Sequence, residues 1–119
     1  MRFDLTRPCG NCPFRNDIHF GLRPERVRGI LGGGKGRDWF PAPSFPCHKT
    51  IEYTDDDGAI IPATAQQCAG VMIILHRENR HNDAMQIAER LGLWDSSKLN
   101  LTAPVYASTA AAIRGQDYD

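Results

Sequence analysis

The sequence predicts a small α+β domain of two or three helices and a short β-hairpin. It is loop-rich and organised around a four-cysteine metal centre. Three observations lead there. Apolar residues recur at helical spacing in two stretches, an Asp-Gly step separates two short alternating runs, and the four cysteines all sit in distinctive settings.

A chain of 119 residues falls within one domain by length, and 1–119 is read as a single metal-binding domain. Residues 95–119 are expected to be peripheral, with a frayed end. A chain this short buries a modest core, so a metal or cross-link helps. Formal charge sums to zero, yet residues 1–40 hold eight Lys/Arg against four Asp/Glu, and the remainder holds six against ten. That polarity permits a nucleic-acid or other acidic partner for the first part without requiring one.

The segment Met1-Arg-Phe-Asp-Leu-Thr-Arg7 has no apolar run, and the longest one, Val71–Leu75, is far too short to span a bilayer. A cytoplasmic location without membrane association is therefore expected. Stable disulfides are rare in that reducing compartment.

In chain order, Phe3 and Leu5 alternate with polar residues in a brief lead-in. Residues 9–15 form a cysteine turn. Leu22–Leu31 reads as a helix, with Pro24 and Glu25 in its first turn and Val27, Ile30 and Leu31 as its apolar stripe. Gly32-Gly33-Gly34 ends it. Gly32–Pro46 is a long loop whose Trp39, Phe40 and Phe45 are expected to pin it over the core.

Thr50–Thr54 and Ala59–Ala63 read as strands around Asp55-Asp-Asp-Gly58, the second at an edge because of Pro62. Gln66–Leu91 is the strongest helical region, with Gly92 beyond its end. Its polar middle, His76–Asp83, predicts a break near 79–82. An alanine-rich piece, Tyr106–Arg114, adds a short helix. The expected core is Val27, Ile30, Leu31, Ile51, Val71, Ile74, Leu75, Met85, Ile87 and Leu91.

Cys9 and Cys12 flank a two-residue turn that Gly10 allows and Pro13 closes. Cys47 follows after thirty-four residues and Cys68 after twenty more. A Cys-x2-Cys with two further cysteines in a reducing compartment points to metal or redox chemistry before disulfides. Thiolates hold either Zn²⁺ or an iron–sulfur cluster. Structural zinc sites often use two such turns, whereas Cys47 and Cys68 are solitary and Cys12 precedes Pro13 as at a ferredoxin ligand. The pattern therefore favours a [4Fe-4S] cluster, with Zn²⁺ second. Cys68 would open the main helix, where backbone N–H groups favour an anionic centre. His48 and Arg15 are candidates to support the ligands from behind.

The blocks Arg7-Pro-Cys-Gly-Asn-Cys-Pro-Phe-Arg15, Phe45-Pro-Cys-His-Lys-Thr50 and Cys68-Ala-Gly70 resemble a family of small proteins of bacteria, notably actinobacteria, and their phages. The resemblance runs from about Met1 to Leu91. It implies that Cys9, Cys12, Cys47 and Cys68 act as one set; the family carries no established activity. A looser similarity is to WhiB-like regulators, four-cysteine [4Fe-4S] proteins that act on transcription, although their close cysteine pair lies mid-sequence and a basic tail follows.

Arg23, Arg26, Arg28, Lys35 and Arg37, with Trp39, are candidates for a nucleic-acid surface. Gly29–Gly36 matches G-x4-G-K, but a helix precedes it, a loop follows, and Gly36 takes the hydroxyl position, so it is not read as a phosphate loop. No nucleophile motif frames Cys68, and no βαβ pattern surrounds Cys9 and Cys12. The expectation is a binding or regulatory module acting on nucleic acid or a transcription protein. The alternatives are a structural zinc protein and a cluster-dependent redox enzyme or electron carrier.

Overall fold

Helix α1 (Pro24–Leu31) begins with Pro24 in its first turn, where a missing N–H costs nothing, and buries Val27, Ile30 and Leu31. It stops at Gly32, whose φ is 71° and whose added Cβ would lie 2.5 Å from the Trp39 carbonyl oxygen. Only glycine fits that close approach. Helix α2 (Ala69–Arg77) has every residue from Ala69 to Leu75 buried, so it is wrapped by the rest of the chain. The computed structural model that gives this architecture describes residues 2–10, 12–18, 21–47, 49, 51–53, 59–60 and 65–116.

The helical pattern breaks after Arg77. Asn79 has φ 56°, and Asn82 then caps α3 (Asp83–Arg90) by accepting from the Met85 N–H at 2.9 Å. Gly92 ends α3 at φ 72°, with Leu93 N bonding Ala88 O and Gly92 N bonding Glu89 O, the paired bonds of a left-handed cap. Helix α4 (Thr109–Gly115) is capped by Ser108, whose Oγ accepts from Ala111 N at 3.1 Å. It packs on α1. Short 3-10 turns lie at Gly36–Trp39 and Ser96–Lys98.

The α+β expectation is corrected by these four helices, one more than the upper end of the expected number. Among the described residues, regular β structure is one antiparallel pair, β1 (Glu52–Tyr53) with β2 (Ala59–Ile60), Glu52 opposite Ile60 and Tyr53 opposite Ala59. Three isolated bridges add to it: Arg2–Gln66, Arg15–Val105 and Pro46–Gln67. Strands of two residues present no face that could form a layer, so helices and loops carry the core. The turn between the strands, Asp55–Gly58, lies outside the described residues, as do Thr50, Thr54 and 61–63 of the expected strands.

The core joins Phe14, Val27, Ile30, Leu31, Met85 and the buried length of α2. It also takes in Trp94 and, from the 95–119 stretch, Leu99, Ala103, Val105 and Ala112. Apolar residues scattered singly through turns bury well without showing a period, so the sequence pattern missed them. Gln116 anchors the tail, its Nε2 donating to Pro13 O at 3.0 Å and its Oε1 accepting from Leu22 N at 3.2 Å. Residues 117–119 lie outside the described residues.

Three expected core residues fall elsewhere. Ile87 and Leu91 are 56 % and 67 % exposed, because α3 buries only Met85 and Ala88. Ile51 is half-buried. Trp39 and Phe40, expected to pin their loop, are exposed, whereas Phe45 does pack on the core. Among the described residues, no helix is long and apolar enough to cross a membrane.

Candidate metal centre

Three separate segments bring the cysteines together. The Cys9–Cys12 turn closes with Cys12 N bonding Cys9 O at 3.2 Å, and Arg15 N bonding Cys12 O at 3.1 Å. Residues 45–47 lie antiparallel to 66–68, through Cys47 N to Gln66 O at 2.7 Å and Cys68 N to Phe45 O at 2.9 Å. Cys68 is the N-cap of α2. None of the four forms a disulfide; Cys12, Cys47 and Cys68 are buried and Cys9 is half-buried.

The thiols meet as two pairs. Cys12 Sγ and Cys68 Sγ are 3.7 Å apart, and the Cys9 and Cys47 side chains hydrogen-bond each other. The pairs sense one another: the charges of Cys9 and Cys12 act on Cys47, and that of Cys47 acts on Cys68. Among the described residues, no group of three or more His, Cys, Asp or Glu is arranged to hold a metal ion. The two pairs are neighbours that have not closed on one point.

Backbone N–H groups surround the sulfurs. Phe14 and Gly70 donate to Cys12, Lys49 to Cys47, and Val71 to Cys68. The bond Cys68 donates holds the Cys12 thiol below its ordinary range; burial opposes it, and Phe14 N–H, the Arg15 charge and Gly70 N–H assist. Donation to Cys12 and complete burial push Cys68 well up, and burial pushes Cys47 up. Cys12 is thus the more readily ionised thiol of its pair, and thiolates are the soft donors that zinc and iron–sulfur clusters take.

The donor set suits a thiolate-bound metal in two further respects. A Cβ on Gly70 would stand 2.7 Å from Cys12 Sγ and 3.1 Å from Phe14 Cβ, so only glycine lets the first turn of α2 approach the sulfur. Gln67 is fully buried beside Cys68; its Oε1 accepts from Phe45 N at 3.1 Å, and its Nε2 has no partner among the described residues. Sequence reasoning missed Gly70, Gln67 and the Lys49 N–H. The glycine two places after Cys68 was the legible signal.

Arg15 lies where its charge acts on Cys9 and Cys12. Its Nη1 donates to Cys9 O at 3.4 Å, and its fork grips Asp17 at 2.6 and 2.7 Å. His48 lies outside the described residues. The nucleic-acid candidates divide. Arg28, Lys35, Arg37 and Trp39 line one cavity. Arg26 instead stacks over Phe45 at 5.8 Å, and Arg23 is the N-cap of α1.

Searches of protein families, curated proteins and solved structures return no match to this chain.

Proposed function

We propose that this chain is a small binding module closed by a four-thiolate metal centre of Cys9, Cys12, Cys47 and Cys68, and that it acts on nucleic acid in the cytoplasm. The carrying observation is that four thiols from three segments lie as two neighbouring pairs, with N–H donors aimed at three of them. Such donors stabilise thiolates, and thiolates gathered this closely repel one another unless a cation sits among them.

Sulfur spacing supports one of the two metals over the other. Four ligands at about 2.3 Å around one tetrahedral ion stand about 3.8 Å from one another. The Cys12–Cys68 separation of 3.7 Å matches one such edge. A [4Fe-4S] cube puts each thiolate on its own iron and so holds the sulfurs farther apart. This supports zinc over the cluster that the cysteine spacing favours. Bound zinc would be a structural staple joining the N-terminal turn, the Cys47 segment and α2.

Metal and acid-labile sulfide analysis, with a visible absorption spectrum, on protein purified without oxygen tests the reading. About one zinc per chain and no visible colour supports it. About four iron and four sulfide in a brown protein replaces zinc with the cube. A folded chain with no metal, or full metal retention by both Cys47→Ser and Cys68→Ser, overturns the centre.

A further inference from the structure

We infer that single-stranded nucleic acid binds across the Trp39–Phe40 ridge, its bases stacking on the two rings and its phosphates held by Arg28, Lys35 and Arg37. The inference rests on the nucleic-acid reading above and names the form of the partner and its site.

The ridge separates two cavities. One, of about 970 Å³, lies between the end of α1, the glycine loop and α4, and holds the three cations. The other, of about 410 Å³, lies toward α3. Trp39, Phe40 and Arg80 line both. Trp39 is 49 % exposed and Phe40 72 %, which is costly for large aromatic rings with nothing to cover them.

The ridge is also rigidly held. Arg80 stacks on Trp39 at 5.1 Å and donates to Trp39 O at 3.2 Å and to Leu31 O at 2.7 Å. The tryptophan is therefore positioned before any partner arrives, with one face backed by a cation. Stacking on fixed aromatic rings is the sequence-tolerant way to hold unpaired bases.

Charge points the same way, by a small margin. Glu78 and Arg80 pair at 2.7 Å and neutralise each other. Arg28, Lys35 and Arg37 then stand against Glu25 and Asp38 around the larger cavity. The excess suits weak, salt-sensitive contact with a polyanion.

A strand fits better than a free nucleotide. The Gly33 and Gly34 N–H groups, which could cradle a terminal phosphate, are spent on the Trp39 and Asp38 carbonyls at 3.0 and 2.9 Å. The side-chain cations around the cavity are dispersed, which matches one charge per nucleotide along a backbone. A duplex keeps its bases stacked inside and cannot use the rings.

The test is a fluorescence titration of the full metal-loaded chain at low salt. The probes are an oligothymidylate of about 12 nucleotides, a duplex of equal length, ATP, and a polyglutamate peptide. Trp94 is buried, so quenching by stacked bases reports on Trp39. The expected result is quenching by the single strand at concentrations at least tenfold below those needed for the other three. Phe40→Ala should weaken binding by about 5- to 100-fold. Lys35→Gln and Arg37→Gln should each flatten the salt dependence by about one ion. Arg26→Gln, on the Phe45 side, should leave binding unchanged.

Equal or tighter binding of duplex, ATP or polyglutamate overturns the inference, as does an unchanged Phe40→Ala. Duplex preference would leave the nucleic-acid reading standing and remove only this site. Absence of binding to either nucleic acid, with metal present in the protein, would remove both and leave the metal centre intact.

Discussion

The thiol side and the ridge side of this molecule place their reactive groups by opposite means. At the thiol side the backbone does the work: N–H groups of Phe14, Lys49, Gly70 and Val71 hold the sulfurs, and three of the four cysteines are buried. At the ridge one side chain, Arg80, ties together Leu31, Trp39, Glu78 and Thr109, and the Trp39 ring it supports stays half in water. A backbone-built site tolerates no added atom and depends on what fills it. A side-chain-built site fails when its one tie is cut, yet leaves the remainder standing.

Metal removal should have the largest effect. Zinc held by small peptides has apparent binding energies of about 10–16 kcal/mol, comparable with the whole stability of a domain, about 5–15 kcal/mol. Excess chelator should therefore unfold the thiol side, read as loss of far-UV helical signal in parallel with zinc release. An unchanged melting curve after complete zinc loss would mean that the centre does not hold the segments together.

The next effect should come from Arg80→Met. Arg80 is 9 % exposed, and its Nη2 donates to Glu78 at 2.7 Å and Thr109 at 2.8 Å. The substitution keeps the bulk, removes four hydrogen bonds, and leaves the Leu31 carbonyl without its buried donor and the Glu78 carboxylate without its cation. It should cost about 2–4 kcal/mol in urea denaturation. Zinc content should stay complete, because nothing in this network reaches the cysteines. Loss of zinc along with stability would show that the two sides are one cooperative unit and remove the contrast.

Glycine sharpens the comparison at smaller scale. Gly70→Ala places a methyl 2.7 Å from Cys12 Sγ and should cost about 1–3 kcal/mol, with weakened zinc retention. Gly29→Ala is the control on the ridge side: nothing lies within 4 Å of its added Cβ, and a helix gains about 0.5–1 kcal/mol from that exchange. Opposite signs in thermal denaturation are expected. Equal effects would mean that the thiol side has room the structure does not give it.

What could be read in advance follows the same division. Helices α1 and α2 were legible because their signals are local: a proline at the first turn, an unbroken apolar run from Val71 to Leu75. The short hairpin was legible from Asp57-Gly58, but that step marks a turn and says nothing about how far pairing extends, and one pair of two-residue strands among the described residues does not make an α+β fold. Ile87 and Leu91 were assigned to the core from periodicity alone, yet α3 lies at the surface with Met85 and Ala88 inward. Arg80 was invisible as an organiser. A lone arginine in a polar stretch reads as solvated, and only the fold brings Leu31, Trp39 and Thr109 to it.

The smallest effect should be on pH dependence at the ridge side. His81 lines the smaller cavity, its Nε2 lies 2.9 Å from His76 Nδ1, and the edge of Trp94 packs against it, centroids 5.7 Å apart. Burial lowers its pKa from the ordinary 6.5, and the His76 charge lowers it further, with Glu89 opposing. In the folded chain the ring therefore resists protonation. As pH falls below 6.5 the unfolded chain takes up the proton first, so stability is complete above that value and declines until the folded-state pKa is passed. Water reaches both rings, so the decline should be shallow. Melting temperature measured from about pH 7.5 to about pH 5 should fall for the parent chain, and His81→Gln should flatten that fall. A parallel fall in both would assign the acid sensitivity to another group, and the zinc-loaded thiols, which compete with protons for the metal, would be the first to examine.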